Sequence, residues 1–184
     1  MEIDVPEGAL VLLVGISGSG KSTFAARHFA PTEVLSSDRF RALVADDEAD
    51  QTASRAAFEV LHLVMAKRLA RRRLCVVDAT NLSLRARRAL TALASRNRRP
   101  ALVIVLDLPL ETCRARNAAR GRVVAEDVLV EQHRRLDEAL AALHDEGYAA
   151  VHLLRDEAEV EAVRIRRVSV RAGETARTST ADQA

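Results

Sequence analysis

The sequence predicts an α/β fold in which a parallel sheet of five strands carries helices on both faces. Apolar runs of strand length alternate along the chain with longer segments in which apolar residues recur every three or four positions. The apolar runs are continuous, as in strands buried on both faces, which indicates a parallel sheet covered by helices. With 184 residues, 48% of them hydrophobic, the chain is long enough for one domain with a sizeable core.

The predicted elements follow one another in a regular order. Strands are expected at Ala9–Val14, Glu33–Leu35, Leu74–Val77, Ala101–Leu106 and Tyr148–Leu154. Helices are expected at Thr23–Phe29, Ala53–Arg73, from a Ser83 cap to Asn97, and at Leu110–Arg120, Glu126–Glu146 and Ala158–Arg166. Met1–Gly8 is expected to be a short polar lead-in. Residues 1–166 are therefore predicted to form one domain, and residues 167–184, which lack an apolar period, a disordered tail.

The composition excludes several classes of protein. The two cysteines, Cys75 and Cys113, fall in a predicted strand and a predicted helix, so they form neither a disulfide framework nor a metal site. A reducing compartment is the simple inference, and we expect a cytoplasmic protein. The N-terminus lacks the features of a signal peptide, and no apolar run approaches membrane-spanning length, so no membrane contact is expected.

Arginine is unevenly distributed along the chain. Its clusters lie at Arg71–Arg73, Arg85–Arg88, Arg96–Arg99 and Arg114–Arg122. Solvated helix faces are the common explanation for such clusters, and only the last has a spacing that we interpret as functional. There is no Trp and one Tyr, so a nucleic acid would find no extended platform of aromatic side chains for base stacking.

One stretch carries a strong chemical signal. Residues 15–22 read G-I-S-G-S-G-K-S and match the phosphate-binding pattern G-x-x-x-x-G-K-[S/T], with a predicted strand before them and a helix after. The glycines allow a tight turn whose N–H groups converge on an anion, and the helix N-terminus favours negative charge. Lys21 can bind the β- and γ-phosphates, and the Ser22 hydroxyl can hold Mg²⁺. The predicted nucleoside triphosphate site comprises Gly15, Ser17, Gly18, Ser19, Gly20, Lys21, Ser22 and Thr23.

Two further residues follow the second predicted strand. Ligands gather at the carboxyl ends of such strands, and Asp38 there could accept a proton from an attacking hydroxyl. The alternative is a helix N-cap, for which Asp and Ser are suited. Arg41 would share a helical face with Asp38 and could bind a phosphate of the acceptor, or simply form an ion pair with Asp38.

Three more charged residues are candidates. Arg116 and Arg120 are spaced i, i+4 before Gly121, as in a kinase lid whose arginines close over the triphosphate, although a solvated helix face is the alternative. Asp78 ends the third predicted strand, where it could support Mg²⁺ through water or serve only in structural hydrogen bonds.

Together these motifs resemble the N-terminal kinase domain of bacterial polynucleotide kinase-phosphatase, an RNA repair enzyme. The likeness runs from Leu10 to Val163. It rests on the loop at 15–23, Ser36-Ser37-Asp38 with Arg41, Asp46-Asp47-Glu48 with Asp50-Gln51-Thr52, Val76–Asn81, and Cys113, Arg116, Asn117 and Arg120.

The resemblance implies a P-loop kinase with an adenylate-kinase-like sheet and an arginine-bearing lid. It implies transfer of the γ-phosphate of ATP, or another NTP, to the 5′-hydroxyl of RNA or DNA, with Lys21 and Ser22 binding phosphates and Mg²⁺. Asp38 would activate the hydroxyl, Arg41 would contact the adjacent phosphate, and Arg116 and Arg120 would form the lid clamp. Some members are homodimers.

The chain also departs from the family pattern. The family enzyme continues into phosphatase and ligase-like modules, whereas the given sequence ends after the polar tail. We expect either an excised kinase module or a free-standing kinase, so those activities are not carried over. The segment after Arg120 does not align with the family pattern, which leaves Arg122 without an assigned role. Two other functions remain open: a P-loop kinase of a small hydroxylated metabolite or antibiotic, and a nucleotide-operated interaction module, against which Asp38 and Arg41 argue.

Overall fold

A computed structural model of the protein describes residues 1–119 and 123–169. The strands are β1 (Glu2–Pro6), β2 (Leu10–Val14), β3 (Val34–Ser36), β4 (Cys75–Asp78), β5 (Ala101–Leu106), β6 (Ala150–Leu154) and β7 (Arg164–Val168). The α-helices are α1 (Lys21–His28), α2 (Ser37–Ala45), α3 (Ser54–Ala70), α4 (Leu84–Arg96), α5 (Leu110–Ala118), α6 (Glu126–Ala142) and α7 (Glu157–Ala162). Short 3₁₀ helices cover Gln51–Ala53 and Leu143–Asp145.

The central sheet confirms the predicted fold class. Its five strands are all parallel and lie in the order β3-β4-β2-β5-β6, with β2 in the middle. One face packs against α3, α4 and α6 through residues such as Leu61, Leu90 and Leu136. The other face packs against α1 and β1 through Phe24 and Ile3. Because both faces are covered, every residue of β2 is fully buried, as its continuous apolar sequence predicts.

The amino-terminal segment differs from the prediction of a polar lead-in. It forms β1, which pairs in parallel with β7 as a separate two-stranded sheet. Ile3 and Val5 are fully buried, whereas Glu2 and Asp4 between them are exposed. That alternation is the local signal of a strand with one buried face. Its pairing partner was not predictable because Arg166, which binds Asp4, lies 162 residues along the chain.

The helices agree with the predictions except at three places. α2 follows β3 directly, where no complete helix was predicted. α5 ends at Ala118, and Arg120 of the predicted helix falls outside the described residues. The predicted helix Ala158–Arg166 is shorter, because α7 ends at Ala162 and the chain then enters β7. Throughout residues 1–119 and 123–169, no helix has both the length and the apolar character needed to span a bilayer.

The predicted domain boundary after residue 166 also needs correction, because β7 extends to Val168. Arg167 forms an ion pair with Glu33 at 2.8 Å, and its guanidinium carbon lies 4.9 Å from the centre of the Phe29 ring. The ordered domain therefore includes at least two residues that were assigned to the tail. The predicted disorder of the remainder concerns residues 170–184, which lie outside the described part of the chain.

The sheet topology brings three chain segments together at one edge. Leu13 of β2 and Ser36 of β3 both lie opposite Asp78, the last residue of β4. The loop after β2, the start of α2 and Asp78 therefore meet at the carboxyl edge of the sheet. This is the edge at which parallel α/β sheets bind their ligands.

Candidate active site

The phosphate-binding loop connects β2 to α1, which begins at Lys21. Gly18 has a φ of 83°, and a methyl group on it would overlap the backbone carbonyl of Cys113 in α5. Only glycine combines that conformation with so close an approach. The Lys21 ammonium donates to the Ile16 carbonyl at 2.8 Å and lies 3.4 Å from the Ser19 hydroxyl. The lysine charge is therefore held within the turn, where the N–H groups of such a loop gather an anion.

A cavity of about 340 Å³, here called the Arg116 cavity, lies on one side of this loop. Gly18, Gly20 and Thr23 of the loop line it, together with Arg116 and Glu157. The guanidinium of Arg116 binds the Glu157 carboxylate at 3.0 Å, and a methyl group on Gly20 would lie 3.3 Å from it. α5 and α7 thus meet over the beginning of α1. Arg120, the other predicted lid residue, is outside the described residues.

A larger groove of about 840 Å³, here called the Asp38 groove, lies on the other side. Ser17 and Ser22 of the loop line it, together with Asp38 and Asp78. The structure therefore brings Asp38 to the same groove as the predicted metal ligand, Ser22. The side chain of Asp38 is half exposed, so a molecule in the groove can reach the carboxylate.

The alternative role of Asp38 as a helix cap is not what the structure shows. Ser36 is the N-cap of α2 and accepts a hydrogen bond from the Arg39 N–H at 3.5 Å. Asp38 lies in the first turn of the helix, where a negative charge is favourable. Its carboxylate accepts from the Ser37 hydroxyl at 3.2 Å and pairs with Arg41.

Arg41 lies beneath Asp38 rather than in the groove. It is 6% exposed, pairs with the Asp38 carboxylate, and donates to the Glu48 carbonyl at 2.8 Å. The guanidinium that lines the groove is instead that of Arg39. Arg41 therefore fixes the orientation of the Asp38 carboxylate and ties it to the acidic loop that contains Glu48.

A buried polar network supports the loop after β4. The Thr80 carbonyl accepts from the Gly15 N–H at 3.2 Å, which joins this loop to the phosphate-binding loop. Asn81 is 3% exposed and donates to the Leu13 carbonyl at 2.7 Å. The fully buried Arg87 donates to the Asn81 carbonyl at 3.0 Å and pairs with Glu146. No sequence pattern revealed Arg87, which sits in an arginine cluster otherwise interpreted as a solvated face.

One contact to the phosphate-binding loop was also not foreseen. Gln132 of α6 accepts a hydrogen bond from the Ser17 N–H at 2.8 Å. α6 is thereby attached to the loop. A glutamine within an amphipathic helix gives no local signal of such a contact, because the two residues are 115 positions apart.

Several titratable groups outside the Asp38 groove have shifted pKa values. Burial raises the pKa of the Asp107 carboxyl at the end of β5, and the nearby negative charge of Asp137 raises it further. Burial raises the pKa of the Cys75 thiol to about 11, so this cysteine stays protonated and unreactive at neutral pH. Burial likewise raises the pKa of the Tyr148 hydroxyl, which hydrogen-bonds Glu146 at 3.1 Å.

Comparison with solved structures first relates the chain to an RNA repair assembly. Two structures of the Pnkp1/Rnl/Hen1 complex, one of them described as an RNA repair complex, contain similar chains, at 25% and 24% identity with TM-scores of 0.51 and 0.59. The similarity covers 64% and 72% of this chain and 41% and 45% of those chains. This chain thus spans less than half their length. None of the curated proteins matches it in sequence.

Other similar structures are matched over most of their own length. Shikimate kinase from Acinetobacter baumannii, in complex with shikimate, has a TM-score of 0.53 and 16% identity over 83% of this chain and 87% of its own. Kti12 from Chaetomium thermophilum, in complex with ADP-AlF3, has a TM-score of 0.57 and 19% identity over 83% and 93%. Identities this low show a shared fold, that of the P-loop kinases.

A family model described as AAA domain, AAA_33, matches residues 10–143. The match includes the phosphate-binding loop, Asp38, Asp78 and Arg116, and it extends over more than half of the 184 residues. The protein therefore belongs to the AAA domain family AAA_33 and has a P-loop kinase-like fold.

Proposed function

We propose that the protein is an ATP-dependent polynucleotide 5′-hydroxyl kinase, which transfers the γ-phosphate of ATP to the 5′-OH end of RNA or DNA. One observation carries the proposal: Asp38 and Ser22 line the same groove beside the phosphate-binding loop. An acceptor hydroxyl in this groove meets a carboxylate close to the place where the loop binds phosphate. A carboxylate so placed can accept the hydroxyl proton, which typically accelerates a reaction about 10²–10⁴-fold.

The donor nucleotide would occupy the other side of the loop. We infer that the Arg116 cavity receives the nucleoside and that residues 15–23 bind the phosphates through their N–H groups and Lys21. Arg116 would exchange its contact with Glu157 for one with the nucleotide. With Arg120 it would supply positive charge to the transferred group.

Arg41 has two functions in this proposal. It holds the Asp38 carboxylate in one orientation through their ion pair. It would also bind the phosphate next to the reacting nucleoside, which requires the guanidinium to leave the Glu48 carbonyl and turn to the groove. Arginine suits this task because its planar fork binds phosphate through two hydrogen bonds.

The groove also offers oxygen ligands of the kind that Mg²⁺ prefers. The Ser22 hydroxyl and the Asp78 carboxylate both line it, so Ser22 would bind the ion directly and Asp78 through water. An Mg²⁺ ion held by these residues would supply positive charge that partly neutralises the phosphates of the donor. Ser22 and Asp78 themselves would orient the phosphates relative to Asp38.

The proposed partners follow from the same proposed function. The likeness to chains of the Pnkp1/Rnl/Hen1 complex, one structure of which is described as an RNA repair complex, supports a function in RNA repair. We propose that 5′-OH ends of RNA or DNA are the acceptor and that the kinase acts in the cytoplasm. Phosphatase and ligase activities would come from other modules, in a longer or a separate chain, and a homodimer is a further expectation.

A second function is favoured by the charge of the groove. Among the described residues that line it, four carry carboxylates, Asp38, Asp47, Glu48 and Asp78, and one carries a guanidinium, Arg39. An acidic groove attracts cations and repels a polyanion. The alternative acceptor is therefore a small hydroxylated molecule with neutral or positively charged groups, such as an antibiotic or a metabolite.

The direct test uses γ-labelled ATP, Mg²⁺ and an oligonucleotide with a 5′-hydroxyl. We expect label at the 5′ end of the oligonucleotide, and none when the oligonucleotide already carries a 5′-phosphate. Transfer to neither RNA nor DNA, from a protein that binds ATP, would reject the proposal.

A second assay separates the two acceptor classes. If Arg41 binds a phosphate, a nucleoside 3′-monophosphate should be a far better acceptor than the bare nucleoside. Arg41→Ala should then raise the KM for the 3′-monophosphate by roughly tenfold to more than a hundredfold, with the KM for ATP nearly unchanged. Equal phosphorylation of the bare nucleoside by the wild-type protein would favour the small-molecule kinase.

A further inference from the structure

A second charged cavity lies at the opposite edge of the sheet from the phosphate-binding loop. It has a volume of about 680 Å³, and Gly8, Glu33 and Leu74, which line it, precede β2, β3 and β4. The whole length of β2 separates this edge from Gly15. At a rise of about 3.3 Å per residue, the two edges are on the order of 20 Å apart. The cavity is therefore distinct from the site that binds the triphosphate.

Four arginines from three parts of the chain converge on this cavity, here called the arginine groove. Arg68 comes from α3, Arg72 and Arg73 from the turn after it, and Arg167 from β7. Part of this set was interpreted from sequence as a solvated helix face. The fold instead gathers it around one concave surface.

Positive charge in the groove exceeds negative charge. Among the described residues that line it, four are arginines and two, Glu7 and Glu33, are acidic, an excess of two positive charges. Arg167 is neutralised by Glu33 at 2.8 Å. Within residues 1–119 and 123–169, Arg72 and Arg73 have no ion pair, and the buried Nε of Arg68 has no hydrogen-bond partner. The guanidinium groups of Arg72 and Arg73 are therefore available to an anion, and Arg68, whose guanidinium also donates to the Leu74 carbonyl, lies beside them.

The groove is held in place by contacts to its backbone. The Arg68 guanidinium donates to the Leu74 carbonyl at 2.9 Å, and the Arg73 N–H donates to the Arg68 carbonyl at 3.0 Å. Gly8 packs so closely on Arg72 that a methyl group on it would lie 2.6 Å from the Arg72 carbonyl oxygen. The arginine-bearing turn is therefore fixed before any ligand binds, which lowers the entropic cost of binding.

We propose that the arginine groove is a binding site for a ligand with at least two phosphate charges, separate from the kinase site. Guanidinium forks bind phosphate oxygens in pairs, and an excess of two positive charges favours a multiply charged anion over a singly charged one. The volume falls within the range of small-ligand sites. The phosphates could belong to a small phosphorylated molecule or to the backbone of a nucleic acid.

The test is an NMR titration of the full ¹⁵N-labelled chain with inorganic pyrophosphate. The amide signals of Gly8 and Leu74 report on the groove, and those of Gly18 and Gly20 report on the phosphate-binding loop. We expect both sets to shift in the wild-type protein. The double variant Arg72→Gln/Arg73→Gln should weaken binding at the groove roughly tenfold or more, while the loop signals shift as before.

Arg88→Gln is the matched control, because Arg88 is an exposed arginine on α4 away from the groove. It should leave both sets of shifts unchanged. Groove signals that do not move in the wild-type protein, or that move equally in the double variant, would overturn the proposal. Because the loop signals are read separately, a failure of the kinase proposal leaves this result unaffected.

A second titration, with a short single-stranded oligonucleotide, identifies the source of the phosphates. Tighter binding of the oligonucleotide at Gly8 and Leu74 would assign the groove to a nucleic-acid backbone. Tighter binding of pyrophosphate would assign it to a small phosphorylated molecule. No groove shift with either probe contradicts the inference.

Discussion

At the scale of single residues, the chemistry depends on the carboxylate of Asp38. Asp38→Asn should reduce phosphoryl transfer about 10²–10⁴-fold, because an amide of the same size cannot accept a proton. ATP binding should persist, since Asp38 lies in the Asp38 groove and not in the loop. Steady-state kinetics and nucleotide titration measure the two effects. Asp47→Asn, in the same groove, is the control and should retain activity; near-normal turnover of Asp38→Asn would refute the proposed base.

The backbone of the phosphate-binding loop gives a second residue-scale prediction. Gly18→Ala should abolish nucleotide binding, because the added methyl group overlaps the Cys113 carbonyl and the φ of 83° is strained for alanine. Gly147 is a matched control, since its φ is 78° and a methyl group there meets no atom within 4 Å. Gly147→Ala should bind nucleotide normally. Calorimetric titration with ADP compares the variants, and wild-type affinity in Gly18→Ala would contradict the close approach of α5.

A third residue, Asp107, makes the stability of the folded protein depend on pH. Its pKa in the folded protein is raised by burial and by Asp137, so the protonated form stabilises the folded state. That contribution is present below the ordinary Asp pKa of about 3.9 and is lost as the pH rises through the raised value. Asp107→Asn should therefore increase the free energy of unfolding at pH 7 and have less effect at low pH. Urea denaturation at pH 7 and at low pH tests this prediction, with Asp145→Asn at an exposed position as the control. An equal change in the free energy of unfolding at the two pH values would contradict it.

At the scale of elements, the ion pair between Arg87 and Glu146 joins α4 to the segment before β6. Both side chains are buried, at 1% and 6% exposure. Arg87→Met should destabilise the protein by about 3–5 kcal/mol, because it leaves the buried Glu146 carboxylate without its counter-ion. Arg55→Met, which breaks the exposed pair with Glu59, should have little effect. Chemical denaturation measures the free energy of unfolding of both variants. Equal losses of stability would show that burial of the ion pair does not determine how much its removal destabilises the protein.

Sequence periodicity and motif context were sufficient to predict the central sheet and the phosphate-binding loop. Both are local: a buried strand is a continuous apolar run, and the loop is an eight-residue pattern between a strand and a helix. The contacts of Gln132 with Ser17, and of Arg87 with Glu146, join residues 115 and 59 positions apart. Such pairs cannot be recognised in a single sequence, because glutamine, arginine and glutamate also occur on solvated helix faces.

Within the site, too, the sequence predicts the position of Asp38 but not the contacts around it. Its place after a short strand indicated the carboxyl edge of the sheet, and the structure brings it to the groove that Ser22 lines. The burial of Arg41 beneath it could not be foreseen, because the i, i+3 spacing allows both an ion pair and a phosphate contact. The Glu48 carbonyl, seven positions further on, is the partner that turns Arg41 inward.

At the scale of the whole molecule, β1 and β7 close the fold by pairing its two ends. The Glu7 N–H donates to the Val168 carbonyl at 2.9 Å, and Arg167 binds Glu33 while lying over the Phe29 ring. The sequence predicts a disordered tail at residues 167–184, and removal of such a tail would have little effect on stability. Since two of these residues belong to β7, we now expect a loss of stability that depends on where the chain is cut.

Two shortened chains test this dependence. A chain that ends at Arg166 should melt at a lower temperature than one that ends at Ser169, because it lacks the backbone bond to Glu7 and both contacts of Arg167. The two chains differ only in residues 167–169, so any effect of residues 170–184 is the same in both. Arg167→Ala in the full-length chain should reproduce part of the loss, since it removes the ion pair and the aromatic contact but keeps the strand. Equal melting temperatures for the two shortened chains would show that β7 contributes nothing beyond Arg166.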